Sequence, residues 1–224
     1  MARVETTAVK IALLGAESTG KTVLAHELAA HWRSQGRSVA VVTEVLREWC
    51  AREARTPRPE EQLPIAQEQE RRVEAAAASA QVVIADTTSL MIAIYSAMIF
   101  EDGSLYQFAL ERQRSYHHTL VTGLDLPWVA DGLQRVGAHV REPVDALVRT
   151  MLARAGVDYR VVYGSGEQRL RNALAALGSA QAPSAEPAPN MPSSQQQPWV
   201  WHCEKCSDPQ CEHRLFTSML ARRG

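Results

Sequence analysis

Short apolar runs alternate with longer amphipathic stretches along most of the chain. Five apolar runs, in which Val, Ile, Leu and Ala are the main apolar residues, each predict a strand. They lie at residues 8–14, 38–43, 81–85, 118–122 and 159–164. The first and third carry apolar residues at nearly every position, which is typical of strands that are buried on both faces of a parallel sheet.

Helical periodicity fills the segments between these runs. Apolar residues recur on one helical face twice, at Leu24, Leu28 and Trp32 and at Val144, Leu147, Val148, Met151 and Leu152. The other predicted helices cover 44–54, 59–80, 88–100, 104–115 and 166–177, with Pro64 near the first turn of its helix or kinking it. Because strand and helix alternate throughout, the sequence predicts an α/β fold, a parallel sheet with helices on both faces.

The composition changes abruptly after Gly178. Residues 178–198 are polar and rich in Pro, Ser and Gln, which predicts a disordered linker because they offer little to bury. Residues 199–224 regain aromatic residues and contain three of the four cysteines. We therefore expect one main domain at residues 1–177, the linker, and a small Cys/His-rich module at 199–224.

The net charge argues against a protein that binds nucleic acid or membranes through an overall excess of positive charge. The 224 residues carry 24 Lys and Arg against 25 Asp and Glu, a formal net charge of -1. This gives no global attraction to nucleic acid or to an anionic membrane. The sequence also lacks an apolar run of roughly 18 residues and a secretion signal at its start, so we expect a cytoplasmic protein.

A phosphate-binding loop is the strongest motif. The segment GAESTGKT, residues 15–22, matches G-x-x-x-x-G-K-[ST] and lies between a predicted strand and helix. Backbone N–H groups there can surround a polyphosphate, Lys21 can contact the β- and γ-phosphates, and the Thr22 hydroxyl can ligate Mg²⁺. A plain glycine turn is the alternative. The predicted nucleoside triphosphate site comprises Gly15, Ala16, Glu17, Ser18, Thr19, Gly20, Lys21, Thr22 and Val23.

Two acidic residues follow predicted strands. Asp86 ends the third strand, where it is suited to bind Mg²⁺ or to act as a base towards an acceptor hydroxyl; a helix N-cap formed by Asp86 or Thr88 is the alternative. Glu44 follows the second strand, with Arg47 one turn on; both are candidates for binding the acceptor, and Glu44 is also a candidate for binding metal. An exposed charge pair of Glu44 with Arg47 is the competing interpretation.

The long polar segment after the fourth strand carries the remaining candidates. Arg135 and Arg141 are suited to close over a transferring phosphoryl group, because they add positive charge while the segment excludes water. Asp125, Trp128 and Asp131 are candidates for binding the acceptor, Trp128 by stacking on a planar ring or else as a packed aromatic residue.

Five stretches, AESTGKT, TEVLREW, VVIADTT, LDLPWVADGLQ and VVYGSGEQR, resemble in the same order the motifs of the ribosylnicotinamide kinase domain of NadR-type proteins, over residues 8 to about 177. The resemblance implies phosphorylation of the 5′-hydroxyl of nicotinamide riboside by ATP. It implies that Lys21 and Thr22 serve ATP and Mg²⁺, that Asp86 serves metal or base chemistry, and that Trp128 with the neighbouring acids binds the riboside. Arg135 and Arg141 would belong to the closing lid.

NadR-type proteins commonly carry further domains ahead of the kinase. With about seven residues before the first predicted strand, we expect neither a nucleotidyltransferase domain nor a helix-turn-helix here. The third-strand motif reads DTT, where the family often has a second acid.

The tail carries four side chains suited to a metal. Cys203, Cys206, Cys211 and His213 form C-x₂-C-x₄-C-x-H, with His202 as a rival ligand. Because so short a segment has little apolar surface, structural Zn²⁺ would supply the missing stability. Reduced thiols in a disordered tail are the alternative. Such a module is suited to docking a protein partner.

These observations favour an ATP-dependent kinase that acts on a small riboside. Two alternatives stay open: a regulatory ATP-binding protein or ATPase that signals through the zinc tail, and a kinase for another nucleoside or nucleotide. The residues also leave open whether Asp86 or Glu44 is the base.

Overall fold

The computed structural model describes residues 8–129 and 138–178. The predicted linker from 179 onwards and the predicted Cys/His-rich module lie outside these residues. The described strands are β1 Val9–Leu14, β2 Val39–Val42, β3 Val82–Asp86, β4 His118–Thr122 and β5 Arg160–Val162. Each of the five predicted strands is therefore present, within two residues of its expected ends.

Seven α-helices lie between and after these strands in the described part of the chain. They are α1 Lys21–Ser34, α2 Val45–Glu53, α3 Pro59–Ala77, α4 Ser89–Phe100, α5 Tyr106–Gln113, α6 Arg141–Ala155 and α7 Gly166–Gly178. A 3-10 turn at Ala138–Val140 precedes α6. Pro64 lies inside α3, which continues through it. Pro59 occupies the start of the same helix, where the absent N–H has no intrahelical partner to lose.

The five strands form one parallel sheet in the order β2-β3-β1-β4-β5. β1 lies at the centre and pairs with β3, where Ile11 stands beside Ile84, and with β4, where Leu13 stands beside Leu120. The predicted parallel sheet is confirmed. Because all the strands run in one direction, the segments that follow β1, β3 and β4 emerge together at one edge.

Alternate residues of β1 pack against different helices. Ile11 and Leu13 share an apolar cluster with Leu28 of α1 and Ala173 of α7. Ala12 belongs to a second cluster that includes Val73 of α3. Side chains alternate between the two faces of a strand, so helices cover both faces of the sheet, as predicted.

Candidate active site

The phosphate loop is fastened to the end of β4. Gly15 has φ 141° and packs so closely on Thr122 that an added Cβ would lie 2.2 Å from the Thr122 Oγ1. The Thr122 hydroxyl donates to Thr19 Oγ1 at 2.7 Å, and the Thr19 hydroxyl donates to the Ala16 carbonyl at 2.8 Å. Only glycine fits at position 15, and this chain of hydroxyls fixes the loop against the sheet.

Lys21 begins α1 directly after Gly20, which has φ 74°. The Lys21 ammonium donates to the carbonyls of Gly15 and Ala16 at 2.9 and 2.8 Å. Its charge therefore lies over the loop whose backbone N–H groups, with the positive end of α1, form a site for anions.

Asp86 meets the loop from the end of β3. The Thr22 hydroxyl donates to Asp86 Oδ2 at 2.5 Å. Asp86 is buried, and its Oδ1 has no hydrogen-bond partner among residues 8–129 and 138–178. Leaving a buried carboxylate oxygen unpartnered is costly unless a cation binds it. A hydroxyl and a carboxylate oxygen are the ligands that Mg²⁺ prefers, so this pair fits Mg²⁺.

The helix cap that competed with this interpretation of Asp86 is formed by Thr88. Its side chain accepts from Leu90 N at 3.3 Å at the start of α4. Between the two, Thr87 has φ 73°, which is uncommon for a β-branched residue and occurs where a backbone is constrained by its surroundings. The end of β3 is therefore held so that Asp86 faces Thr22 while Thr88 starts the helix.

Glu44 belongs to the same group of charges. Burial raises the pKa of the Glu44 carboxyl, Lys21 and Arg47 oppose that change, and Asp86 reinforces it. The predicted pair with Arg47 is also present, at 3.5 Å between Arg47 Nε and Glu44 Oε2, but the Glu44 side chain is only 19% exposed. The site thus has two carboxylates near one lysine, and the second is held in an environment that disfavours its charge.

The segment after β4 reaches two loops. Asp125 accepts from Gly164 N at 2.6 Å, which joins the segment to the loop after β5. Ser18 Oγ donates to Val129 O at 2.8 Å and accepts from Val129 N at 3.1 Å. Asp125 therefore contacts backbone in this structure, and its predicted role with the acceptor stays a prediction.

Trp128 lies in the segment that Ser18 holds. Its side chain is partly buried, and its Nε1 is buried without a hydrogen-bond partner in the described part of the chain. An indole N–H usually finds a partner when it is buried, so this nitrogen is available to a ligand. The predicted Asp131 lies outside the described residues.

Of the two predicted lid arginines, the structure describes one. Arg141 is the first residue of α6 and is buried; its Nη2 donates to Leu124 O at 3.3 Å. It therefore supports the segment that carries Trp128. Arg135 lies outside the described residues, and closure of a lid stays a prediction.

A groove of about 400 Å³ runs between α2 and α3. Its lining includes Val45, Trp49, Arg52, Glu60, Pro64 and Ile65. The Arg55 guanidinium lies 4.7 Å from the centre of the Trp49 ring, so one face of the indole is already covered.

Arg169 ends the stretch VVYGSGEQR, but the sequence predictions give it no role. It lies on the buried face of α7 with Ala173 and Leu177, and its Nη1 donates to Gly164 O at 3.0 Å. An added Cβ on Gly20 would lie 3.8 Å from that Nη1, so the guanidinium neighbours the phosphate loop. The sequence signal for a buried arginine is its spacing: Arg169 lies four residues before Ala173 and eight before Leu177, on the apolar face of the helix.

Zinc has no candidate among the residues described. No group of three or more His, Cys, Asp or Glu side chains suited to a metal occurs in 8–129 and 138–178. The predicted ligands Cys203, Cys206, Cys211 and His213 lie outside these ranges. In the same described residues, no helix is both long and apolar enough to cross a membrane.

A parallel α/β sheet with a phosphate loop after its central strand, and a Thr–Asp pair beside the loop, define a P-loop nucleotide-binding protein. The chain belongs to the AAA domain family, whose model matches residues 10–169. No curated protein sequence matches it.

Solved structures share the fold at low sequence identity. A NadR protein in complex with NR is 17% identical with a TM-score of 0.64, over 81% of this chain and 53% of that one. The thymidylate kinase from Ehrlichia chaffeensis is 14% identical (TM-score 0.56), over 78% and 100%. The deoxyadenosine kinase from M. mycoides with bound dCTP is 14% identical (TM-score 0.51), over 76% and 100%. The chain therefore spans about half the length of the NadR chain and all of the two kinases.

Proposed function

We propose that this chain is a kinase that transfers the γ-phosphoryl group of ATP to a hydroxyl group of a small riboside. The observation that carries the proposal is the meeting of Lys21, Thr22 and Asp86 at one edge of the sheet, with Glu44 in the same electrostatic environment. A phosphate loop alone suits many nucleotide-binding proteins. A second carboxylate beside it suits proton removal from an acceptor.

In this proposal each residue has a separate task. Lys21 neutralises charge on the β- and γ-phosphates, and Thr22 with Asp86 would hold Mg²⁺. The bound metal would neutralise charge on the phosphate oxygens. Glu44 accepts the proton of the acceptor hydroxyl while the hydroxyl oxygen bonds to the γ-phosphorus. The bond between the γ-phosphorus and the oxygen that bridges to the β-phosphate breaks, and ADP is released. We favour Glu44 as the base because burial raises its pKa towards the working pH, where a base works best, while Asp86 would hold Mg²⁺.

Nicotinamide riboside is the acceptor we favour, and nicotinamide mononucleotide the product. The family resemblance of the five motifs and the fold shared with a NadR protein in complex with NR support this choice. Trp128, with a buried indole N–H that no described residue accepts, is suited to contact the acceptor ring. A cytoplasmic location, which the sequence predicts, fits the use of ATP.

A kinase for another nucleoside or nucleotide is the second candidate. The observation in its favour is that the chain spans the whole length of the deoxyadenosine kinase and of the thymidylate kinase, but about half of the NadR chain. The groove between α2 and α3 supports neither acceptor over the other.

The test is to incubate the full-length protein with Mg-ATP and a panel of nicotinamide riboside, adenosine, deoxyadenosine, thymidine and thymidylate. Mass spectrometry of the products should show nicotinamide mononucleotide, and Lys21→Ala should not form it, because its charge faces phosphate. A different phosphorylated product would support the second candidate. ATP hydrolysis without any phosphorylated acceptor would contradict the kinase proposal.

We also propose that Cys203, Cys206, Cys211 and His213 bind one structural Zn²⁺ and that the tail docks a protein partner. The C-x₂-C-x₄-C-x-H spacing supports this part of the proposal.

A further inference from the structure

Arg169 carries a buried positive charge with unused donors. The residue is 3% exposed, and Nη1 donates to the Gly164 carbonyl at 3.0 Å. Nε and Nη2 are buried and have no hydrogen-bond partner in residues 8–129 and 138–178. A folded protein rarely retains a buried charge with unsatisfied donors unless something balances it.

The charges around Arg169 do not balance it by contact. Asp125 and Glu27 are near enough to favour the guanidinium electrostatically, but burial outweighs them and lowers the pKa of Arg169 below the usual arginine value. The Asp125 carboxylate accepts from Gly164 N. In the described part of the chain, neither carboxylate forms an ion pair with Arg169.

The guanidinium that carries these donors lies beside the phosphate loop. An added Cβ on Gly20 would lie 3.8 Å from Arg169 Nη1 and 4.0 Å from its Cζ. Gly20 immediately precedes Lys21 and α1, the part of the loop whose backbone N–H groups hold the α- and β-phosphates in this class of site. A guanidinium presents its donors as a planar fork that matches phosphate oxygens.

We propose that Arg169 is a nucleotide-binding residue whose guanidinium donates to the α- and β-phosphate oxygens of the bound triphosphate. The inference rests on the proposed binding of ATP at the phosphate loop, but not on the identity of the acceptor. Because the same guanidinium holds the Gly164 carbonyl, arrival of the phosphates would also fix the loop after β5.

The test compares nucleotide affinities of the full-length wild type, Arg169→Met, Arg169→Lys and the control Arg171→Met. Arg171 is two residues away on α7 and forms an exposed pair with Glu167 at 3.5 Å, so its loss should cost little. Calorimetry gives the affinity for Mg-ATP. Displacement of ATP by inorganic tripolyphosphate gives the affinity for the phosphates alone.

We expect Arg169→Met to weaken both Mg-ATP and tripolyphosphate by roughly 10- to 100-fold, the loss expected for charge-assisted hydrogen bonds. Arg169→Lys should lose less, and Arg171→Met should bind as the wild type does. Without nucleotide, the melting temperature of Arg169→Met should not fall, because an unbalanced buried charge is removed. If that variant fails to fold, weaker tripolyphosphate binding by a stable Arg169→Lys supports the proposal.

The proposal is overturned if Arg169→Met binds tripolyphosphate as tightly as the wild type does, or if Arg169→Lys does so where only that variant folds. It is also overturned if Arg171→Met loses as much affinity as the Arg169 variant. A wild type that binds Mg-ATP while the Arg169 variants bind equally well refutes this inference alone. A wild type that does not bind Mg-ATP refutes it together with the proposed function.

Discussion

Gly15 is the position where a single methyl group should disturb the site most. In Gly15→Ala the added Cβ would lie 2.2 Å from Thr122 Oγ1 and 3.0 Å from the Thr122 carbonyl oxygen. Thr122 cannot easily withdraw, because its hydroxyl bonds to Thr19 and its backbone belongs to β4, where it pairs with Val162. Alanine would also have to adopt φ 141°, which is outside the regions open to residues with a Cβ.

The cost has two parts. Forcing a methyl group into a packed site costs about 1–3 kcal/mol, and holding a disallowed backbone conformation costs about 1–3 kcal/mol more. We therefore expect Gly15→Ala to lower the free energy of unfolding by roughly 2–6 kcal/mol. The matched control is Gly156→Ala at the end of α6. There φ is 64° and nothing lies within 4 Å of an added Cβ, so only the backbone cost of about 1 kcal/mol applies.

The assay is urea unfolding followed by circular dichroism, with the slope compared between variants to verify that the transition stays two-state. A double-mutant cycle with Thr122→Ala isolates the contact, and we expect at least about 1 kcal/mol of the Gly15→Ala loss to be recovered. A Gly15→Ala variant no less stable than Gly156→Ala, or a cycle with no coupling, would refute the packing argument.

Four further outcomes follow from the site and the tail. Asp86→Asn keeps the side-chain shape but removes the charge that would hold Mg²⁺, so kcat should fall by about 10²- to 10³-fold with a much smaller change in ATP affinity, measured by steady-state kinetics and calorimetry; equal losses would favour a structural role. Burial raises the pKa of Glu44 from its ordinary value of 4.5, so the stability that this residue contributes is present below pH 4.5 and is lost as pH rises through the raised pKa. The urea midpoint of the wild type should therefore fall over that range relative to the midpoint of Glu44→Gln. Parallel pH profiles of the two proteins would contradict the raised pKa. Truncation near Gly178 should leave an active kinase, and Cys206→Ser should remove about one Zn²⁺ per full-length chain by metal analysis; a reduced full-length protein without zinc would reject the metal site.

The fold could be predicted from sequence because its elements are marked locally. The strand at 118–122 and the start of α7 at Gly166 lie where the apolar pattern places them, since consecutive apolar residues and helical periodicity are properties of short windows. The helix that contains Pro64 ends at Ala77, three residues before the predicted end. Helix ends depend on capping and on neighbours, so they are set less firmly by sequence than the existence of the helix.

The site could be predicted only where chemistry and sequence position coincide. Asp86 follows a buried strand directly, and it meets Thr22 as the parallel topology requires. The contact of Asp125 with Gly164 depends on how β4 and β5 lie side by side. No local pattern carries that information, because the contact joins segments that are 39 residues apart in the chain.

The two hydrogen bonds between Ser18 and the backbone of Val129 have a thermodynamic consequence. They join the loop that would receive ATP to the segment whose Trp128 would meet the acceptor. A ligand that orders one of these segments also helps to order the other, so the second ligand loses less conformational entropy when it binds. Coupling of this kind is reciprocal: the factor by which ATP raises the affinity for the acceptor must equal the factor by which the acceptor raises the affinity for ATP. Ser18→Ala would then bring both factors towards one together, and the two substrates would bind as independent ligands.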